Sequence, residues 1–92
     1  MLLKVNEIEK RLENLPDWSY QENAIIKEFT ANNFSSALAF VVQIGIEAEK
    51  LDHHPDILLH SWNKILIKIS THSEGGVTEK DFKLAELINK LV

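Results

Sequence analysis

The sequence predicts an α+β domain: one four-stranded antiparallel sheet with three helices packed on a single face, in the order α-β-β-α-β-β-α. Three observations predict it. Ile65, Ile67 and Ile69 alternate with Lys64, Lys68 and Ser70, the period of two that a half-buried strand requires. Phe34, Ala37, Leu38, Val41, Ile44, Gly45, Ala48 and Leu51 recur at spacings of three and four, the stripe of an amphipathic helix. Two hairpin-like strand pairs have helical segments before, between and after them, and helices so distributed settle on one face of an antiparallel sheet.

Each element has its own signal. Asn6 is placed to cap a first helix whose apolar positions Ile8, Leu12 and Leu15 keep helical spacing, and Pro16 ends it. Trp18-Ser19-Tyr20-Gln21 reads as a short strand and Glu22-Asn23 as its turn. Ala24 to Phe29 returns, with Ile25, Lys27 and Phe29 on one face and Ile26 and Glu28 on the other. Thr30, Asn32 or Asn33 caps the long central helix. Phe40 and Val42 widen its stripe enough to predict burial on two sides. Gly45, at a cost of up to about 1 kcal/mol relative to alanine inside a helix, points to close approach of a sheet or a partner helix. Pro55 disfavours the α conformation at His54, so the helix stops between Asp52 and His54. Ile57 to His60 and Asn63 to Ser70 form the second strand pair, and Glu74-Gly75-Gly76 is a loop. Thr78 caps a last helix with Asp81 at its third position, a variant of the capping box. Phe82, Leu84, Ala85, Leu87, Ile88 and Leu91 supply that helix with an apolar face.

Ninety-two residues, 45% of them hydrophobic, suit a single domain spanning 1–92 rather than two cores or a disordered chain. A chain this short buries only about 60–65% of its unfolded surface. With no cysteine to staple it, assembly as a homodimer or homotetramer is the expected supplement. Lys plus Arg number 10 against 14 Asp plus Glu, a net charge of −4, and no basic run is interleaved with aromatics, so a nucleic-acid partner is not expected. Nor is a membrane, since no apolar run approaches the roughly 20 residues of a span. Met1 to Glu7 turns polar too soon for a signal peptide's core. The lack of cysteine removes thiol nucleophiles and cysteine zinc sites and fits a reducing cytoplasm.

The chemistry concentrates in Glu49-Lys50-Leu51-Asp52-His53-His54-Pro55, followed by Trp62, Thr71-His72 and Asp81. Three of the four histidines fall here with three carboxylates. Imidazole ordinarily titrates near neutrality and can both give and take protons, so the pattern reads as an acid–base site. Consecutive residues point about 100° apart on a helix and about 180° apart on a strand, so His53 and His54 face two sides of a pocket. The strand before His72 can return it beside them. Zinc held by three histidines and a carboxylate is the rival, but no two histidines have the i, i+4 spacing of helical ligands. Plainer roles exist for each residue. One of His53 and His54 can serve as a cation at the helix C-terminus, worth about 0.3–1 kcal/mol. Glu49 can be an i, i+4 partner of His53, Asp52 a solvated carboxylate, and Asp81 a helix-terminus residue. Thr71 can bond nearby backbone, Trp62 can be core or pocket wall, and His60 a surface strand residue. A cap accounts for one adjacent histidine, but not for the pair together with His72.

This set closely resembles the signature of the pterin-4a-carbinolamine dehydratase family. The similarity runs from about Leu12 to Leu91, taking in Trp18, Ile25, Phe29, Phe34, Ala37 and Leu84-Ala85. One departure lies between Pro55 and Trp62, a segment one residue longer than in animal members, with Ile57 where those carry a tryptophan; it bears on the pocket rim. The resemblance implies a hydro-lyase that removes water from 4a-hydroxy-tetrahydropterin, the product left by aromatic amino acid hydroxylases, to give quinonoid dihydropterin. It implies no metal and no organic cofactor, and assembly as a dimer or tetramer. With that chemistry, His53 and His54 serve as general acid and base, and His72 holds the pterin and shares the proton traffic. Glu49, Asp52 and Asp81 orient imidazoles or bond the pterin's polar edge, with Pro55, Trp62 and Thr71 also at the substrate. Two other readings stay open. One is a non-catalytic binding module, since animal members also act as dimerisation cofactors for a homeodomain transcription factor. The other is a pterin-binding protein outside biopterin recycling.

Overall fold

Both strand pairs close as hairpins in a computed structural model that describes all 92 residues, Met1–Val92. Strands β1 (Ser19–Gln21) and β2 (Ala24–Thr30) meet at Glu22 and Asn23, whose φ angles of 52° and 63° make the two-residue turn that matches strand twist. Strands β3 (Asp56–His60) and β4 (Lys64–Ile69) join through Ser61, Trp62 and Asn63. The sheet order is β1-β2-β4-β3, antiparallel throughout, which leaves β3 as one edge. Ile25 lies opposite Ile69, Lys27 opposite Ile67 and Phe29 opposite Ile65, so the isoleucine alternation read from the sequence becomes one apolar face.

Three helices cover that face: α1 (Val5–Leu12), α2 (Phe34–Leu51) and α3 (Glu79–Asn89). Ile25, Ile65, Ile67 and Ile69 are fully buried in one core with Ile8, Ala37, Phe40, Ile44, Ala48, Leu84, Ala85 and Ile88. Each fully buried isoleucine or leucine side chain contributes about 1.5–3 kcal/mol of transfer free energy. Trp18 stands just before β1 rather than within it; it is buried, packs edge-on against Phe29, and donates through Nε1 to Asn89 Oδ1 at the end of α3.

The helix ends differ in instructive ways. Lys4, not Asn6, is the N-cap of α1 and makes no side-chain cap; Asn6 sits inside the helix, where its Oδ1 accepts from the Glu7 N–H. For α2, Asn33 is the cap among the three candidates, its Oδ1 accepting from Ser36 N at 2.8 Å. The expectation of burial on two sides of α2 is not met within the chain. Ala37, Phe40, Ile44 and Ala48 face the core, while Phe34, Leu38, Val42 and Ile46 are 46–60% exposed. A Cβ added at Gly45 would meet nothing within 4 Å, so no sheet or helix of the same chain explains that glycine. Leu51 ends α2 as Pro55 requires, and Asp52 follows in the left-handed region at φ 52°. Thr78 caps α3 in a complete capping box with Asp81. No helix is long and apolar enough to cross a membrane.

Candidate active site

The left-handed turn at Asp52 separates the two adjacent histidines. His53 turns inward and is buried; its backbone N–H still bonds back to the Ala48 carbonyl. His54 turns outward, its side chain 60% exposed, with Nε2 2.8 Å from Glu49 Oε1. Glu49 therefore partners His54 rather than His53, because the helix has already unwound where an i, i+4 pair would form. That contact joins side chains 60% and 79% exposed, so it orients more than it stabilises.

His53 meets a different environment. Its Nε2 lies 2.6 Å from Oδ1 of Asp81, a residue 0% exposed. The other oxygen, Oδ2, accepts from the Thr78 backbone N–H at 2.8 Å and from Thr71 Oγ1 at 2.9 Å. Thr71 spends its proton on the carboxylate, so the 2.7 Å contact between Thr71 Oγ1 and Thr78 Oγ1 has Thr78 as donor. Thr78 Oγ1 in turn accepts from the Lys80 N–H. No buried side-chain polar atom is left without a partner. With the carboxylate accepting, His53 Nε2 carries a proton, and a neutral ring keeps its lone pair on Nδ1. Asp81 thus holds the imidazole's tautomer and direction, and Thr71 steadies the carboxylate. Of the two roles expected of Asp81, orienting an imidazole is the one its contacts serve. The plain reading of Asp81 as a helix-terminus residue is only half of its role, since one carboxylate both starts α3 and fixes His53.

His53, His54 and His72 border one open hollow of about 240 Å³, with Asp52, Ser70, Thr71, Ser73 and Lys80 completing its lining. His72 arrives at the start of a single 3-10 turn (His72–Glu74), just past the strand on which it was expected, and its ring is exposed. A second polar hollow of about 310 Å³ adjoins the first through Ser70 and His72. Pro55 sits half-buried beside His54 and lines neither. No three His, Asp or Glu side chains come together in metal-ligand geometry. A larger cavity, about 370 Å³, lies under the other end of the sheet between Phe29, Phe40, Ile65 and Leu91, and no titratable side chain lines it.

Trp62 is not a wall of the histidine hollow in its own chain. It occupies the tip of the β3–β4 hairpin, 61% exposed, at φ 59°. The next residue, Asn63, bonds twice to Ala31, just before α2 begins. The histidines follow the other end of α2, and 18 helical residues at about 1.5 Å each span about 27 Å. Lys80, by contrast, borders the hollow and was not singled out from the sequence; a lysine in a helix's first turn carries no signal until Asp81 beside it is known to face His53. His60 lies apart, its Nε2 2.6 Å from Glu28 Oε2 across the uncovered face of the sheet.

A family model described as pterin 4 alpha carbinolamine dehydratase matches residues 1–91. A protein of Sulfolobus acidocaldarius, provisionally named pterin-4-alpha-carbinolamine dehydratase, is 47% identical over 91 residues, covering 99% of either chain. One of Roseiflexus castenholzii with the same provisional name is 46% identical over 91 residues, covering 99% of this chain and 97% of its own. Among solved structures, a transcriptional coactivator/pterin dehydratase from Brucella melitensis superposes with a TM-score of 0.91 at 37% identity, over 98% of this chain and 97% of the other. A pterin dehydratase-like protein that is a RuBisCO assembly factor in the alpha-carboxysome shares the fold, with a TM-score of 0.65 at 16% identity over 80% of this chain and 84% of the other.

Proposed function

The chain belongs to the pterin 4 alpha carbinolamine dehydratase family, and from that premise we propose that it dehydrates a 4a-hydroxy-tetrahydropterin to quinonoid dihydropterin by histidine acid–base catalysis. The reaction removes the proton on N5, protonates the hydroxyl on C4a, breaks the C4a–O bond and forms the C4a–N5 double bond, releasing water. One base and one acid on the two sides of the substrate suffice. The observation that carries the reading is the convergence of His53, His54 and His72 on one solvent-reachable hollow, with His53 locked by a buried carboxylate. In this reading His53 offers its Nδ1 lone pair, as the tautomer fixed by Asp81 requires. His54, held by Glu49, is the mobile acid, and His72 positions the ring and shares proton transfer. A well-placed acid or base contributes about 10²–10⁴-fold, or about 2.7–5.5 kcal/mol each. Asp52, Ser70 and Lys80 present the polar partners that the pterin's amide and amine edge needs. We place this reaction in the cytoplasm, where a chain without disulfides can fold.

The test is stopped-flow decay of the 4a-carbinolamine, generated in situ, in the presence of wild type, His54→Ala and His72→Ala. Acceleration by wild type that falls by at least about 10²-fold in each variant is expected. A wild type that leaves decay at the buffer rate overturns the function. Full activity in both variants overturns the roles.

A second reading has its own observation. Phe34, Leu38, Val42 and Ile46 form an uncovered apolar face on α2, and Gly45 lets a neighbouring helix come close. This face suits assembly into a homodimer or homotetramer, or a role as a dimerisation cofactor for another protein. Replacing all three histidines separates the two roles: it abolishes catalysis and leaves assembly through α2 intact.

A further inference from the structure

The histidine hollow is too small for the whole of its proposed ligand. Its volume, about 240 Å³, falls below the about 300–1,000 Å³ of ordinary ligand pockets. A tetrahydropterin is more than two fused rings. C6, the carbon bonded to N5, carries the substituent that tells one pterin from another, and it lies on the ring away from the amide and amine edge. With N5 and C4a among the imidazoles and that edge toward Asp52 and Lys80, the substituent needs room on the other side of the reacting bond. The second polar hollow has that room: about 310 Å³, joined to the first at Ser70 and His72.

The same two strands build both hollows. Along β4 the lining advances in steps of two, from Lys68 in the second hollow to Ser70 and His72, which border both. Entering β3, His54 borders the first and Asp56 the second. Ile67 and Ile69 point into the core, so Lys68 between them projects from the uncovered face of the sheet. Asp56 and Lys68 are register partners, and yet no ion pair joins them or ties either to another group of the chain. At the β1–β2 turn, Glu22 adds a second carboxylate and Asn23 an amide. Asn23 Oδ1 already accepts from the Tyr20 hydroxyl at 3.3 Å, so its amide nitrogen is left to donate. Gly75 and Gly76 add no side chain, and no apolar side chain lines the space. Two carboxylates against one ammonium repel a phosphate or a further carboxylate. A hydroxyl, which donates and accepts, satisfies groups of both signs. A methyl would desolvate them and return nothing.

We propose that the second hollow binds the C6 substituent, and that Asp56 and Lys68 are the specificity-determining pair, selecting a neutral hydroxylated chain over an apolar or phosphorylated one. The inference rests on the reading of the histidine hollow as a pterin site and deepens it, by naming the residues that choose among pterins. Asp56 accepts from a hydroxyl of the chain and Lys68 donates to one. Neither takes part in the proton transfers at N5 and C4a.

Stopped-flow decay judges it with two 4a-carbinolamines that differ only at C6, one bearing a trihydroxypropyl chain and the other a methyl. Hydrogen bonds to charged groups are each worth about tenfold or more, so wild type should favour the hydroxylated substrate by at least about tenfold in kcat/KM, chiefly through KM. Lys68→Met and Asp56→Asn should each cut that ratio, and the double variant should bring it to about one, since the charged partners are gone. Asp56 is exposed and Lys68 half-buried, so the variants keep the fold, which circular dichroism checks. Equal treatment of the two substrates by wild type overturns the proposal, and so does a preference that survives in the double variant. A third substrate, whose chain ends in a phosphate, should react less well than the neutral one; a gain overturns the choice of a neutral chain. Absence of dehydratase activity in wild type removes the function instead. The subsite is then judged by binding alone, with 7,8-dihydropterins carrying the same C6 groups titrated by tryptophan fluorescence. The same preference, lost in the double variant, is expected there, and equal binding or none overturns the subsite.

Discussion

Replacing Asp81 with asparagine tests the central geometric claim of the site, because it changes charge and donor pattern at constant volume. The oxygen that accepts from the Thr78 N–H and from Thr71 Oγ1 has a backbone donor that cannot reverse, so the amide oxygen takes that place. The amide nitrogen then faces His53 Nε2, 2.6 Å from the present Oδ1, and can only donate. His53 must surrender its Nε2 proton, and the ring proton moves to Nδ1. The stability cost is that of exchanging a charge-assisted hydrogen bond, about 1.5–3 kcal/mol, for a neutral one of about 0.5–1.5, a difference of about 1–1.5 kcal/mol. For a domain of this size that lowers Tm by about 4–12 °C and leaves it folded. The rate effect is far larger under the proposed chemistry, since the lone pair of the base is lost: about 10²–10⁴-fold. Urea unfolding measures the first quantity, stopped-flow carbinolamine decay the second, and ¹⁵N imidazole shifts the tautomer. An inverted tautomer with the wild-type rate retained would refute the assignment of His53 as base.

Three further outcomes follow from the same contacts. Glu49→Gln should leave unfolding free energy within about 0.5 kcal/mol of wild type, because the His54 contact it alters is exposed on both sides; urea titration checks this, and a larger loss contradicts that exposure. Asn33→Ala removes the bond to Ser36 N at the start of α2 and should cost about 0.5–2 kcal/mol in thermal unfolding without altering the histidines, whose NMR shifts should stay put. Ile67→Ala empties a fully buried position between β2 and β3 and should cost about 2–5 kcal/mol by urea denaturation, enough to unfold much of a marginal domain.

Much of this was legible beforehand, for identifiable reasons. A period of two over Ile65, Ile67 and Ile69 admits only a strand, and Pro55 admits only a helix end near Asp52, so both elements were readable from local rules. Thr78 and Asp81 announced their box because both partners lie within one turn. What failed was long-range. Apolar periodicity in α2 reports which side chains avoid water and not what covers them, so Phe34, Leu38 and Val42 looked buried. Asn6 has the right chemistry for a cap, but Lys4 already holds the extended backbone that a cap needs. The contact between His53 and Asp81 spans 28 residues and depends on where α3 docks, which no local pattern encodes. Trp62 was judged by its type, and only the length of α2 shows how far its hairpin tip lies from the histidines.

The dual service of Asp81 has a consequence for how this protein ages and warms. Fraying at the first turn of α3 releases the carboxylate from the Thr78 N–H and, in the same motion, sets the His53 ring loose. Ends of helices open well below the free energy of global unfolding. Under the proposed chemistry, heat should therefore silence the protein before it melts, with turnover fading at temperatures where circular dichroism still reports an intact chain.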